Sequence, residues 1–172
     1  MSRQTIKFEV FGRDYKTKQL SAQRAIELMR PGRENHPCEL LEETSILVGD
    51  SWVQLNEESA INSHINDIIG VIAPRQVLQG VMSLVNEYNY GFIEKWRGVK
   101  IPSRFIDGSQ SASSANVDPL IAQIVSDKTA TMRELEEYYS LEDAFKMFDI
   151  AVARGVNQAL SSEAAAKSNG KR

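Results

Sequence analysis

The sequence predicts an α+β fold: a small antiparallel β-hairpin sheet packed with helices, followed by a linker and a helical C-terminal module. Three observations predict it. Period-two alternation opens the chain and returns near residue 46, each time beside a glycine-centred turn. From Glu57 the apolar period lengthens to that of a helix. A stretch of almost only Ser, Ala, Gly, Gln and Asn, Asp107 to Asn116, then interrupts the pattern before helical spacing resumes at Pro119. The expected organisation is an α+β domain over 1–104, a Ser-rich linker over 105–118, a helical module over 119–160 and a disordered tail over 161–172.

Each element has a local reason. Ile6, Phe8 and Val10 alternate with Lys7 and Glu9, Gly12-Arg13-Asp14 supplies a turn, and Tyr15 to Leu20 returns. Ser21 caps a helix over Ala22 to Arg30 that faces Ala25, Ile26 and Met29 inward, and Pro31-Gly32 ends it. "RENHPCELLEE" reads as a loop and one helical turn. A second hairpin joins Ile46 and Val48 to Trp52, Val53 and Leu55 through Gly49-Asp50. Ile61, Ile65, Ile68 and Ile72 then share one helical face. Pro74 suits the first turn of a longer helix reaching Trp96. Its stripe is Val77, Val81, Leu84, Tyr88 and Phe92, widened by Leu78, Met82, Val85 and Trp96.

The linker composition cannot bury enough apolar surface to order itself. Beyond it, Leu120, Ile121, Ile124 and Val125 mark one helix, and Thr129 or Thr131 caps the next, with Met132 and Leu135 inward. Ser140 with Asp143 three residues on is a capping signature. Glu142 and Asp143 complement the positive end of the helix that follows. Phe145, Phe148 and Val152 share a face of it. "SSEAAAKSNGKR" reads as a fraying helix passing into disorder.

The totals set bounds on function. A net charge of −3 argues against a dedicated nucleic-acid binder. The single cysteine, Cys38, forbids an intrachain disulfide. No apolar run approaches the ~18 residues of a membrane span, and "MSRQTIKFEV" lacks a signal-peptide core. A soluble intracellular protein is expected.

No catalytic constellation is visible. His36 and Cys38 stand two apart, but a zinc signature needs a second pair, and His64 alone does not supply one. Nucleophilic use of Cys38 needs an enforced base and an oxyanion hole. Neither a Gly-x-Ser-x-Gly elbow, nor a phosphate loop, nor a dinucleotide fingerprint occurs. Carboxylate pairs such as Glu42-Glu43 and Glu136-Glu137 read as solvated faces. Hence no catalytic residue, no metal and no cofactor is expected. The helical module, by contrast, is too small for a robust core of its own. It must pack back on the first domain, self-associate or bind a partner.

The N-terminal stretch "IKFEVFGRDYKTKQLSAQRAIELM" resembles the start of the tail assembly chaperones of long-tailed bacteriophages. There a hairpin carrying G-[KR]-x-Y precedes x-L-x-A-x-x-A and a helix; the matching positions are Gly12, Arg13, Tyr15, Leu20, Ala22 and Ala25. "SAINSHINDIIGVIAPRQVLQGVMSLV" is similar to the helical section of that family, and "YSLEDA", Tyr139 to Ala144, to a block of its C-terminal extension. The resemblance implies a non-enzymatic protein of the host cytoplasm that binds the tape-measure protein and helps recruit tail tube protein. The alternative is a structural protein of a phage tail or baseplate, retained in the virion. Neither nucleic acid nor membrane is an expected partner; self-association is an open possibility. Tyr138, Tyr139, Phe145, Phe148 and Val152 are the expected partner-binding residues.

Overall fold

The computed structural model of the chain describes residues 3–67, 70–105 and 116–169. Its first hairpin joins β1 (Thr5–Val10) to β2 (Arg13–Lys18), with Val10 opposite Arg13. That register leaves a two-residue turn, Phe11-Gly12, and both residues have positive φ, 48° and 76°. Two successive positive angles match the twist of the flanking strands. The expected Gly12-Arg13-Asp14 turn is thus corrected: Arg13 and Asp14 already belong to β2. β3 (Thr44–Val48) and β4 (Ser51–Gln54) flank Gly49-Asp50 as expected, with Gly49 at φ 59°. The strands form one antiparallel sheet in the order β1-β2-β3-β4.

One face of this sheet meets the long helix. Val10, Tyr15, Ile46 and Leu55 are buried, with Phe8 and Val53 beside them, and Tyr15 stacks on Phe8 at 5.6 Å. Before that helix the chain forms α1 (Ala22–Leu28), α2 (Pro37–Leu40) and α3 (Glu58–His64). α2 is the single turn expected, capped by the His36 side chain. α3 is shorter than the isoleucine pattern predicts. Ile61 and Ile65 enter the core, but Ile65 is already extended and Ile72 lies past the end of the helix. Ile68 lies outside the described residues.

α4 (Pro74–Tyr90) buries Val77, Val81, Val85 and Asn89, each four residues on. Leu84, assigned to the stripe from sequence, is 43% exposed. The helix also stops short of Trp96: it breaks at Gly91 and resumes as α5 (Phe92–Lys95). Asn89, Tyr90 and Gly91 are poor helix formers in succession. Asn89 is a buried polar group with work to do. Its side chain accepts from the Leu20 N–H at 2.8 Å and donates to the Val85 carbonyl at 2.8 Å. It therefore ties the end of the first hairpin to α4.

A 3-10 turn, Ser103–Phe105, runs into the first residue of the expected linker, most of which, 106–115, lies outside the described residues. α6 (Pro119–Ser126), α7 (Met132–Glu137) and α8 (Leu141–Asn169) follow. Thr131, not Thr129, caps α7, in a reciprocal box with Glu134. Ser140 and Asp143 form the box at the start of α8: the Asp143 N–H donates to Ser140 Oγ at 3.2 Å, and Ser140 N–H and Oγ donate to Asp143 Oδ2 at 3.3 and 3.0 Å. α8 continues through 161–169, where a disordered tail is expected from sequence. Ala164, Ala165 and Ala166 extend it because alanine is the best helix former.

The helices after the linker share the core of the first part. Ala22 and Ile26 of α1 pack with Ile121, Ile124, Leu135 and Ala144. Leu20, Ala25 and Leu28 pack with Leu141, Tyr90, Phe92 and Phe145. Of the outcomes open for the helical module, the structure takes the first: it packs back on α1. Among the described residues no helix is long and apolar enough to cross a membrane.

Asn89→Ala removes two hydrogen bonds and strands the buried Leu20 N–H. A loss of about 1–3 kcal/mol is expected, read as a lower midpoint in urea with an unchanged slope.

Candidate partner-binding groove

Two helix starts build the groove. Ser21 caps α1 by accepting from the Arg24 N–H at 3.3 Å, and it pairs as an isolated β-bridge with Ser140, the cap of α8. The Ala22 N–H donates to the Tyr139 carbonyl at 2.8 Å. α1 and α8 thus leave one point side by side, and α6 packs on α8, its Ile121 and Ile124 joining Ala22 and Ile26 of α1. Between them lies an open cavity of about 230 Å³ lined by Ile26, Met29, Pro31, Leu120, Leu141 and Phe145, with Arg30 and Asp118 as its charged members. Its floor is the cluster of Leu20, Ala25, Leu28 and Leu141.

Met29 is the residue that makes the groove apolar to solvent. The sequence pattern turns it inward, yet it is 49% exposed, and Leu28 takes the buried place. α1 ends at Leu28, so Met29 sits at the helix terminus just before Pro31-Gly32 and has no next turn to cover it. The proline directly after the apolar stripe is the signal in sequence that marks such an uncovered end.

The five residues expected to bind a partner do not form one surface. Phe145 is half-buried, edge-on to Phe92 at 5.4 Å and to Trp96 at 5.5 Å, and lines the groove. Phe148 and Tyr139 are half-buried against the Ile121–Leu135 cluster. Val152 is half-buried farther along α8. Tyr138 is 52% exposed, edge-on to Tyr139 at 5.2 Å, and lines a separate shallow surface with Arg133 and Glu137. Both phenylalanines pack against buried clusters because α8, to which they belong, lies on α1.

Arg30 and Asp118 apart, no charged side chain among the described residues lines the groove. Arg24 is held by Glu42 at 3.0 Å, Glu27 at 3.4 Å and Glu39 at 3.5 Å. His36 Nδ1 lies 3.0 Å from Cys38 Sγ and 3.5 Å from the Cys38 N–H, so this imidazole serves the cap of α2. The His64 carbonyl accepts from Arg13 at 2.7 Å. Among the described residues no group of three or more His, Cys, Asp or Glu is placed to hold a metal ion. What the groove offers chemically is apolar contact and shape.

Tyr90 braces its floor. Its hydroxyl donates to the Ala25 carbonyl at 3.2 Å, and burial pushes its pKa up to about 12, with Arg24 opposing and Glu42 adding to the effect. A phenol whose folded pKa is raised contributes stability that is present below its unfolded value, near 10, and is lost as pH rises through the folded one. Stability is therefore expected to fall between about pH 10 and pH 12, with a shallower fall in Tyr90→Phe; denaturant midpoints across that range test it. Replacing Phe145 and Phe148 together by Ser is expected to cost several kcal/mol, in line with the ~3–5 kcal/mol of one buried Phe→Ala. Hydrogen exchange should then show α1 opening together with α8; protection of α1 left intact would assign the two rings to the surface. Compared with protein-family models, with curated proteins and with solved structures, the chain matches none.

Proposed function

We propose that the chain is a tail assembly chaperone of a long-tailed bacteriophage, acting in the host cytoplasm. It binds the tape-measure protein, keeps that long apolar helix soluble, and helps recruit tail tube protein. The resemblance of the hairpin motif and of the "YSLEDA" block supports this reading. The structural observation that carries it is the open apolar groove between α1, α6 and α8, with Met29 at its mouth.

An amphipathic helix presents apolar side chains at every third or fourth residue, and such a ridge seats in a groove of this kind. Each large apolar side chain moved out of water contributes about 1.5–3 kcal/mol. Tape-measure recognition then needs shape and apolar surface, not a particular sequence. This suits a long partner with many similar stripes. Phe145 serves from within, as the rigid wall, and Met29 as the adaptable contact.

Co-expression with the tape-measure protein tests the reading. The wild type is expected to raise its soluble yield and to co-elute with it on gel filtration. Met29→Glu sets a charge at the mouth of the groove without touching the buried clusters. It should abolish the complex while far-UV circular dichroism stays unchanged. A tape-measure protein no more soluble with the wild type than without it, or a complex indifferent to Met29→Glu, defeats the proposal.

A further inference from the structure

α4 covers one face of the sheet, and among the described residues no helix covers the other, where Lys7, Glu9, Asp14 and Gln54 are exposed. Its residues follow from the register. One row across the strands is Lys7, Lys16, Ser45 and Gln54; the next is Glu9, Asp14, Leu47 and Trp52. Lys7 stands directly opposite Lys16, and Glu9 directly opposite Asp14. Like charges paired across strands destabilise a sheet. Among the described residues none of these four charges enters an ion pair. The two ammonium groups reach instead to the Trp52 ring, at 5.7 and 4.6 Å from its centre. An exposed cation–π contact is weak and exchanges readily for a charge-assisted hydrogen bond.

We propose that this open face docks on the same face of a second copy of the chain. A two-fold axis running between the two rows, parallel to them and midway between the sheets, lays each row on the other row of the second copy. Lys7 then faces Glu9 of the second copy, Lys16 faces Asp14, and both relations recur by symmetry. Ser45 and Gln54 fall on Leu47 and Trp52. Such an isologous arrangement needs a self-complementary patch, and two adjacent rows of opposite sign provide one. Stacked sheets lie about 10 Å apart, a gap that a lysine and a carboxylate from opposite sides bridge. A phosphate backbone fits less well, because Glu9 and Asp14 stand in the same patch as the lysines. The face covers roughly 400 Å² per copy, about half the ~800 Å² of a standard stable interface. The dimer is therefore dissociable and sensitive to salt. It uses a surface remote from the groove and does not rest on the proposed function.

Sedimentation equilibrium of the full chain tests the proposal by charge exchange. The wild type is expected to self-associate at low salt, near 0.05 M, and about tenfold or more weakly near 0.5 M. K7E/K16E makes the face acidic, and E9K/D14K makes it basic. Each variant alone should remain monomeric where the wild type dimerises, and an equimolar mixture should recover the dimer. If charge reversal disturbs the sheet by circular dichroism, K7Q/K16Q replaces it, with a weaker dimer and a smaller response to salt. A wild type that stays monomeric at millimolar concentration, variants that associate as the wild type does, or a mixture that stays monomeric overturns the proposal. So does retention of wild-type dimer strength in K7Q/K16Q.

Discussion

The pairing of Ser21 with Ser140 is the constraint on which the helical half depends. Each serine is the N-cap of its own helix, and each is buried. Their backbones bridge, and the Ala22 N–H closes on the Tyr139 carbonyl. A helix as short as α1 has little stability of its own, since nucleation is costly and few bonds follow it. Here its N-terminal end and its faces are held from outside. Ala22, Ala25 and Ala144 are fully buried, and their small side chains allow α1 and α8 to approach closely. Arg3 extends the tie: its N–H donates to the Tyr138 carbonyl, and its guanidinium to the Glu137 carbonyl and to Glu43. The chain's first strand and its last two helices are thereby fastened at one place.

From that point the rest of the architecture follows by packing. Leu141, one residue past the bridge, enters the cluster with Leu20 and Leu28. One turn later Phe145 meets Phe92 and Trp96 edge-on, a geometry aromatic pairs favour. α5 thus packs on α8 through Phe92. The buried polar groups sit at junctions. Asn89 joins β2's exit to α4, and the Thr17 and Thr44 hydroxyls meet at 2.9 Å between β2 and β3. Satisfied in this way, such groups fix register where apolar contact alone leaves it free.

The molecule's chemistry lies in its surfaces. Its apolar opening falls where α1 stops and no further turn covers Met29. Its charged rows fall on the sheet face that, among the described residues, no helix covers. Both arise from the same economy of layers. One sheet of four strands and a few short helices cannot enclose every apolar or charged row that the chain carries. What remains uncovered is what solvent meets.

By itself the sequence determined the local structure. Alternation placed the strands, Ser21, Ser140 and Pro74 placed helix starts while the cap of α7 stayed open between Thr129 and Thr131, and the Ser140–Asp143 box formed as its spacing implied. Such features are set within a few residues, by pleat, by the i to i+4 spacing and by unsatisfied N–H groups at helix ends. Tertiary structure decided the rest. It turned Met29 and Leu84 outward, buried Asn89, broke the helix at Gly91 and extended α8 through 161–169. It also drew Phe145 and Phe148 into a core shared with α1. An apolar stripe specifies that a face is buried but not what it is buried against. That partner lay more than a hundred residues away in the chain, where only the meeting of two capped helices at Ser21 and Ser140 could choose it.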